Sequence, residues 1–201
     1  MSKRFQHLLI ATGNRGKLAE FRRLIAVDKI EVVGLDEFNV QEVEETGATF
    51  AENARLKAAG YAMQTGLVAL ADDSGLEVNE LDGRPGVHSA RYLGDVSFET
   101  RMESILHELA EKDADRSARF VCSIALATPA GDIFEQVEGV CEGKIAFAAS
   151  GTNGFGYDPI FVPNGYELTF GELSNEIKNE ISHRSAALSK IIPKIRGFRG
   201  F

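Results

Sequence analysis

An apolar segment that ends in two adjacent carboxylates places the strongest constraint on the fold of this chain. Residues 68–78 read VALADDSGLEV, so Asp72 and Asp73 directly follow a run that is typical of a buried strand. Asp is unfavourable in strands, and an unpaired buried carboxylate is costly. Two interpretations are open. Either Asp73, Ser74 and Gly75 form a tight turn with local hydrogen bonds, or the pair faces a hard cation such as Mg²⁺, which carboxylates and substrate phosphates hold together.

The remainder of the chain alternates strand-like and helix-like segments. "FQHLLIAT" and "IEVVGL" predict strands on either side of a helical pattern in "KLAEFRRLIAV". Thr49 and Glu52 have the spacing of a capping box, and Gly66 stands where the same helix is expected to end. This alternation indicates an α/β architecture with a mixed sheet.

Two long strand-like runs in the second half, joined by "PAGD", predict a β-hairpin. A last helix is expected from Ser182 toward Ile195, with Pro193 disturbing its end. At 201 residues the chain has the length of one domain, residues 1–201. We expect that domain to have two lobes, one of them built on the hairpin, with a cleft between them.

The segment Thr12–Lys17, "TGNRGK", is a Gly-containing turn between a predicted strand and a predicted helix. Such a turn can present backbone N–H groups to a phosphate. Lys17 in the first helical turn opposes the helix dipole, unless an anion binds beside it. The spacing fits neither a Walker A loop nor GxGxxG. A phosphate site and a plain connecting turn are both consistent with this segment.

Composition excludes several classes of protein. The formal charge of −8 argues against non-specific binding to nucleic acid, which requires a basic surface. No stretch has the apolar length of a membrane span, and the N-terminus lacks the features of a signal peptide. A cytoplasmic protein is therefore predicted, in which Cys122 and Cys141 are buried, inert thiols.

Four further groups of residues are candidates for chemistry. Glu44 and Glu45 are either extra metal ligands or part of a solvated acidic loop. Lys57 lies on an Ala-rich helix that is expected to pack closely. It either has a functional role there or extends its ammonium group to solvent. The loop "GFGYDP" (154–159) either stacks on a nucleobase or anchors itself to the core. "SHRS" (182–185) either meets an anion or carbonyl oxygen at a helix start, or is an ordinary exposed cap.

Six segments, in order along nearly the whole chain, give this sequence a clear family likeness. They are "TGNRGKLAEF", "EETGATFAENARLKA", "ADDSGLEV", "GRPGVHSARY", "FGYDPIFV" and "ISHRSAAL". Together they resemble the inosine triphosphate pyrophosphatase family. The resemblance implies a homodimer of mixed α/β fold, with two lobes around a long central sheet flanked by helices. It also implies Mg²⁺-dependent cleavage of inosine, deoxyinosine and xanthosine triphosphates to the monophosphate and pyrophosphate.

The resemblance also assigns roles to individual residues. Asp73 matches the family's proton acceptor, and Glu45 and Asp73 match its metal-linked carboxylates. The role of Asp72 stays open. Substrate-binding residues implied by the match are Thr12, Gly13, Asn14, Arg15, Gly16, Lys17, Lys57, Ser74, Phe155, Gly156, Tyr157, Asp158, Lys178, His183 and Arg184.

Two other functions compete with this one. The first is a general nucleoside triphosphate phosphatase that releases orthophosphate. The second is a nucleotide-sensing module that binds a nucleotide without cleaving it. For the pyrophosphatase, a donor such as Arg184 or a backbone N–H is expected to select the 6-oxo group of the base, which adenine lacks.

Overall fold

The computed structural model describes residues 6–25, 30–111 and 115–198. Strands and helices alternate through the first half of the chain, as the sequence predicts. The strands are β1 (Gln6–Ile10), β2 (Ile30–Gly34), β3 (Val68–Val78), β4 (Ser117–Ala127), β5 (Ile133–Ile145) and β6 (Phe161–Pro163). The helices are α1 (Arg15–Leu24), α2 (Phe50–Thr65), α3 (Phe98–Glu111), α4 (Asn175–Ile181) and α5 (His183–Gly197).

The six strands form one sheet in the order β2-β1-β3-β4-β5-β6. β1 runs parallel to both β2 and β3, whereas β5 and β6 are antiparallel. Parallel strands joined through helices and an antiparallel edge make this a mixed sheet, so the predicted α/β class is confirmed.

The chain divides into two compact units. The first comprises the residues up to Asp73, Cys122–Gly139 and the residues from Arg184 onward. The second comprises Ser74–Val121 and Val140–His183. The expectation that residues 1–201 form a single domain stays a prediction.

The first unit has two apolar clusters because successive strand residues point to opposite sides of a sheet. Leu8 and Ile10 of β1 pack in one cluster with residues of α1 and α5, while Leu9 packs in the other with alanines of α2. The second unit has one cluster, which includes residues of α3 and an aromatic group around Phe161.

Local signals predicted α2 well. Thr49 is its N-cap and forms the capping box with Glu52, and Gly66 ends the helix in the left-handed conformation with φ 69°. The predicted end of the last helix is less accurate, since α5 continues past Pro193 to Gly197. Buried Ile195 holds that final turn in the first unit's core.

The short helix α4 was not predicted, because seven residues carry little periodicity. Cys122 and Cys141 are free and buried, as expected. Burial raises the pKa of the Cys122 thiol to about 12 and that of Cys141 to about 11, so both stay protonated. No helix within the described ranges is long and apolar enough to cross a membrane.

Candidate active site

The segment Thr12–Lys17 connects β1 to α1, as predicted. Asn14 is the N-cap of α1, and its Oδ1 accepts a hydrogen bond from the Lys17 backbone N–H at 3.1 Å. Gly13, Asn14 and Arg15 are exposed, and no acidic residue occupies the first turn of the helix. The loop therefore offers a positive helix end to solvent, which suits an anion. The sequence did not indicate that the Asn14 side chain caps the helix.

Strand β3 continues without a break through the acidic pair, so the interpretation of Asp73, Ser74 and Gly75 as a tight turn is wrong. Asp72 lies on the same side of the strand as Leu70, and Asp73 on the side of Ala71. The alternation separates the two carboxylates. Each meets its own set of partners, which resolves the repulsion that the sequence implied.

Asp72 is fully buried in the first unit and is paired with two cations. Its Oδ2 lies 2.9 Å from Lys17 Nζ and 3.4 Å from Arg184 Nη2. Burial opposes ionisation of Asp72, but Lys17 and Arg184 outweigh it, and the pKa of Asp72 lies well below the ordinary value. Arg184 also donates from Nη1 to the buried carboxylate of Glu20. Sequence reasoning missed Glu20.

Asp73 meets residues of α2 instead. Its Oδ1 lies 3.4 Å from Lys57 Nζ, and its Oδ2 accepts a hydrogen bond from Asn53 Nδ2 at 3.1 Å. Asn53 and Lys57 are one helical turn apart, so both reach the same place. Lys57 Nζ also contacts Glu45 Oε1 at 2.6 Å. Asn53 was not among the predicted residues, although it precedes Lys57 by one helical turn and is therefore expected on the same face of α2.

The extended segment before α2 fixes Glu45 beside Lys57. The Val43 backbone N–H donates to Tyr61 Oη at 3.3 Å. Gly60 permits this close approach, because a Cβ there would lie 2.7 Å from a Val43 methyl group. Glu44, by contrast, is exposed and lies outside this cluster.

The local environments shift the two neighbouring carboxylates in opposite directions. Burial raises the pKa of Asp73, and Lys57 and Lys17 offset this only in part, since Glu45 adds a like charge. Burial also opposes the charge on Lys57, but Asp73, Asp72 and Glu45 outweigh it and raise the pKa of Lys57. Asp73 is therefore the more basic of the two carboxylates, and Lys57 remains an ammonium ion. Divergent pKa values in adjacent acids are typical of catalytic sites.

A second group of predicted residues lies in the second unit. The backbone N–H of Phe155 donates to Asp158 Oδ2 at 2.7 Å, and Lys178 Nζ lies 2.6 Å from the same oxygen. The Lys178 ammonium also lies 4.7 Å from the centroid of the Phe155 ring, a cation–π contact. Phe155 is half-buried, while Asp158 and Lys178 are buried.

The other predicted residues of the second unit take different positions. Tyr157 is buried, donates from Oη to the Ser89 carbonyl at 2.9 Å and packs edge-on against Phe98, so it anchors its loop. His183 stacks on Phe120 with ring centroids 4.8 Å apart. Ser74 is half-buried on β3, directly after Asp73.

Gly154 leaves room for the Asp158 carboxylate. A Cβ on Gly154, which has φ +74°, would lie 1.9 Å from Asp158 Oδ2. We expect Gly154→Ala to displace Asp158 and to lower the free energy of unfolding by about 2–4 kcal/mol, from backbone strain plus a lost buried contact. Urea denaturation measures this value.

Gly165→Ala is the matched control, because Gly165 also has a positive φ of +86° but has open space where a Cβ would stand. Gly165→Ala should lower the free energy of unfolding only through backbone strain, by about 1–2 kcal/mol. Equal losses in the two variants would contradict the packing of Asp158 against Gly154.

The chain is similar over most of its length to known proteins. The Ham1 family matches residues 8–194. The chain is 43% identical over 188 residues to a dITP/XTP pyrophosphatase from Oceanobacillus iheyensis, covering 92% of this chain and 95% of that protein. It is 47% identical over 188 residues to a dITP/XTP pyrophosphatase from Nostoc sp., covering 94% and 93%.

Solved structures agree with this similarity. A HAM1 protein from Coxiella burnetii superimposes with a TM-score of 0.88 at 42% identity, covering 96% of this chain and 100% of that one. The Ham1 protein of Staphylococcus aureus gives a TM-score of 0.85 at 40% identity, covering 96% and 99%.

Proposed function

The chain belongs to the Ham1 family, and from this premise we propose that it hydrolyses non-standard purine nucleoside triphosphates. The substrates are ITP, dITP and XTP, and the products are the nucleoside monophosphate and pyrophosphate. Relatives that are 43–47% identical over nearly their whole length are named dITP/XTP pyrophosphatases. The activity removes these nucleotides from the pool available for synthesis.

The observation that carries the proposal is the adjacent pair Asp72 and Asp73 in β3, of which the first is ion-paired with Lys17 and the second with Lys57. Cleavage between the α- and β-phosphates requires neutralisation of charge and positioning more than covalent catalysis. The two ammonium groups are suited to bind phosphate oxygens and to stabilise the departing pyrophosphate. Hydrolysis requires an attacking water, and Asp73 is the carboxylate proposed to activate it.

In the proposed mechanism Asp73 accepts a proton from the attacking water. The new bond forms between the water oxygen and phosphorus, and the phosphorus–oxygen bond to the leaving group breaks. Pyrophosphate departs with the bonding electron pair. The raised pKa of Asp73 makes it a stronger base than an ordinary Asp, while Lys57 and Asn53 hold its orientation.

The residues present suit a magnesium ion. No three His, Cys, Asp or Glu side chains are grouped to hold a metal within the part of the chain that the structure describes. Glu45 and Asp73 nevertheless face one cation position, since both contact Lys57 Nζ. Two carboxylates plus substrate phosphates are a normal Mg²⁺ environment, so these two residues would hold the ion. When bound, Mg²⁺ would neutralise phosphate charge and orient the substrate.

Assignments in the second unit concern the nucleobase. The ring of Phe155 is suited to stack on a purine, and Lys178 supplies only donors, which favours an oxo group over an amino group. Arg184 was expected to donate to the 6-oxo group, and in this structure it donates to Glu20 and Asp72. Ser74, Gly156 and His183 are proposed to line the nucleotide site. We also propose a cytoplasmic homodimer that binds neither nucleic acid nor membranes.

Product analysis tests the reaction. With ITP and Mg²⁺ we expect one pyrophosphate and one IMP per turnover, with no release of orthophosphate as the first product, and EDTA should abolish turnover. Ion chromatography of early time points separates the two anions. Orthophosphate as the sole first product would replace the proposal with a general phosphatase, and tight binding without turnover would replace it with a nucleotide sensor.

A further inference from the structure

Four charged side chains of the first unit form a series of three ion pairs of alternating sign, called the ring here because it starts and ends on α1. Lys17 pairs with Asp72, Asp72 with Arg184, and Arg184 with Glu20. Lys17 and Glu20 are three residues apart on α1, so they lie on the same face of that helix. The ring thus begins and ends on α1 and ties it to β3 and α5.

Burial is graded around this ring. The side chains of Asp72 and Arg184 are 0% and 1% exposed, and that of Glu20 is 10% exposed. Lys17, at 14%, is the most exposed member and also the one that belongs to the predicted phosphate loop. An ammonium has three N–H donors, and one contact with Asp72 leaves capacity to bind an anion. The buried residues Asp72, Arg184 and Glu20 therefore fix the position of the Lys17 side chain.

The contacts of Asp72 differ from those of a metal ligand. Its Oδ2 is already shared by Lys17 and Arg184, and the Cys122 thiol lies 3.9 Å from the same oxygen. Asp73 and Glu45, which we assign to the metal, contact Lys57 on the other side of β3. The direct ion pairs of Asp72 thus differ from those of Asp73 and Glu45.

From this ring we infer that Asp72 is a positioning residue which orients Lys17 toward the phosphates, with Arg184 and Glu20 anchoring it, and that Asp72 is not a metal ligand. The inference rests on the proposed function, because it assigns Asp72 a part in the same phosphate site. It predicts energetic coupling between Asp72 and Lys17, since removing Asp72 matters only while Lys17 is present.

Binding of inorganic pyrophosphate, measured by isothermal titration calorimetry with and without Mg²⁺, tests the inference. Lys17→Met should weaken binding about tenfold or more, the scale of a charge-assisted hydrogen bond. Asp72→Asn should weaken it at least about fivefold, on the same scale. The double variant should bind as Lys17→Met does. Glu135→Gln, at an exposed ion pair with Lys194 in the same unit, is the acid-to-amide control and should match the wild type.

Glu20→Gln provides a second route if Asp72→Asn does not fold. The amide keeps an acceptor for Arg184 but removes the charge, so a smaller loss of pyrophosphate affinity is expected, and none in the Lys17→Met background. Additive losses would overturn the inference, and so would a loss that appears only with Mg²⁺ or an absence of binding by the wild type. Calorimetry needs no turnover, so failure of ITP hydrolysis would remove the proposed function without deciding this test.

Discussion

Asp73→Asn is expected to lower kcat for ITP at least about a hundredfold, the usual effect of removing a general acid–base group. The amide keeps the shape of the side chain and one oxygen that accepts from either Lys57 or Asn53, but it cannot take a proton from water. Substrate affinity should change less than kcat, because Lys17 and Lys57 remain in place. Steady-state kinetics of pyrophosphate release gives both quantities.

The pH dependence of kcat/KM provides an independent readout of the same residue. A base must be ionised to act, so activity falls as the pH drops through the pKa of Asp73. Because burial raises that pKa in the metal-free protein, the acid limb measured at sub-saturating Mg²⁺ should lie above the ordinary Asp value of about 3.9. Asp132→Asn, in the exposed turn between β4 and β5, is the matched control and should leave the profile unchanged. An Asp73→Asn enzyme with more than a tenth of wild-type turnover would contradict the assignment.

Arg184→Met is expected to lower the free energy of unfolding by about 3–5 kcal/mol, because it leaves two buried carboxylates without their shared cation. Glu20 and Asp72 would then repel each other inside the first unit. Arg184→Lys keeps the charge but cannot place separate N–H donors on Glu20 and Asp72, so an intermediate loss of stability is expected. Urea denaturation measures the free energy of unfolding of the wild type and of both variants.

Arg22→Met is the control for this experiment. Arg22 lies on α1 and pairs with Glu37 at 3.6 Å, with both side chains about half exposed. Exposed pairs contribute at most about 1 kcal/mol. If Arg184→Met destabilised the protein no more than Arg22→Met does, the buried ring would not have the role assigned to it.

Local sequence rules predicted those parts of the fold that depend on neighbouring residues. The capping box at Thr49, the C-cap at Gly66 and the strand–loop–helix around Asn14 each follow from a few adjacent positions. The six motifs in order also identified the family correctly, which comparison with its members confirms.

Contacts between residues far apart in the sequence determine the parts of the site that local rules did not predict. Asp is a poor strand residue, so local rules left a turn at Asp73 open, yet Arg184 stabilises Asp72 within β3 from 112 residues away. Glu20 looks like an ordinary surface acid on an amphipathic helix until Arg184, 164 residues further on, pairs with it. The sequence left open whether the loop 154–159 stacks on a nucleobase or anchors itself to the core, and the contact with Ser89 identifies Tyr157 as an anchor.

A comparison of nucleobases tests the central claim most directly. Pyrophosphate release with Mg²⁺ would be measured for ITP, dITP, XTP, ATP and GTP at matched concentrations well below KM. We predict that kcat/KM for the first three exceeds that for ATP and GTP by at least about a hundredfold, the discrimination available to a site that hydrogen-bonds its substrate's polar groups. Equal values for ATP, GTP and ITP would contradict the proposed function.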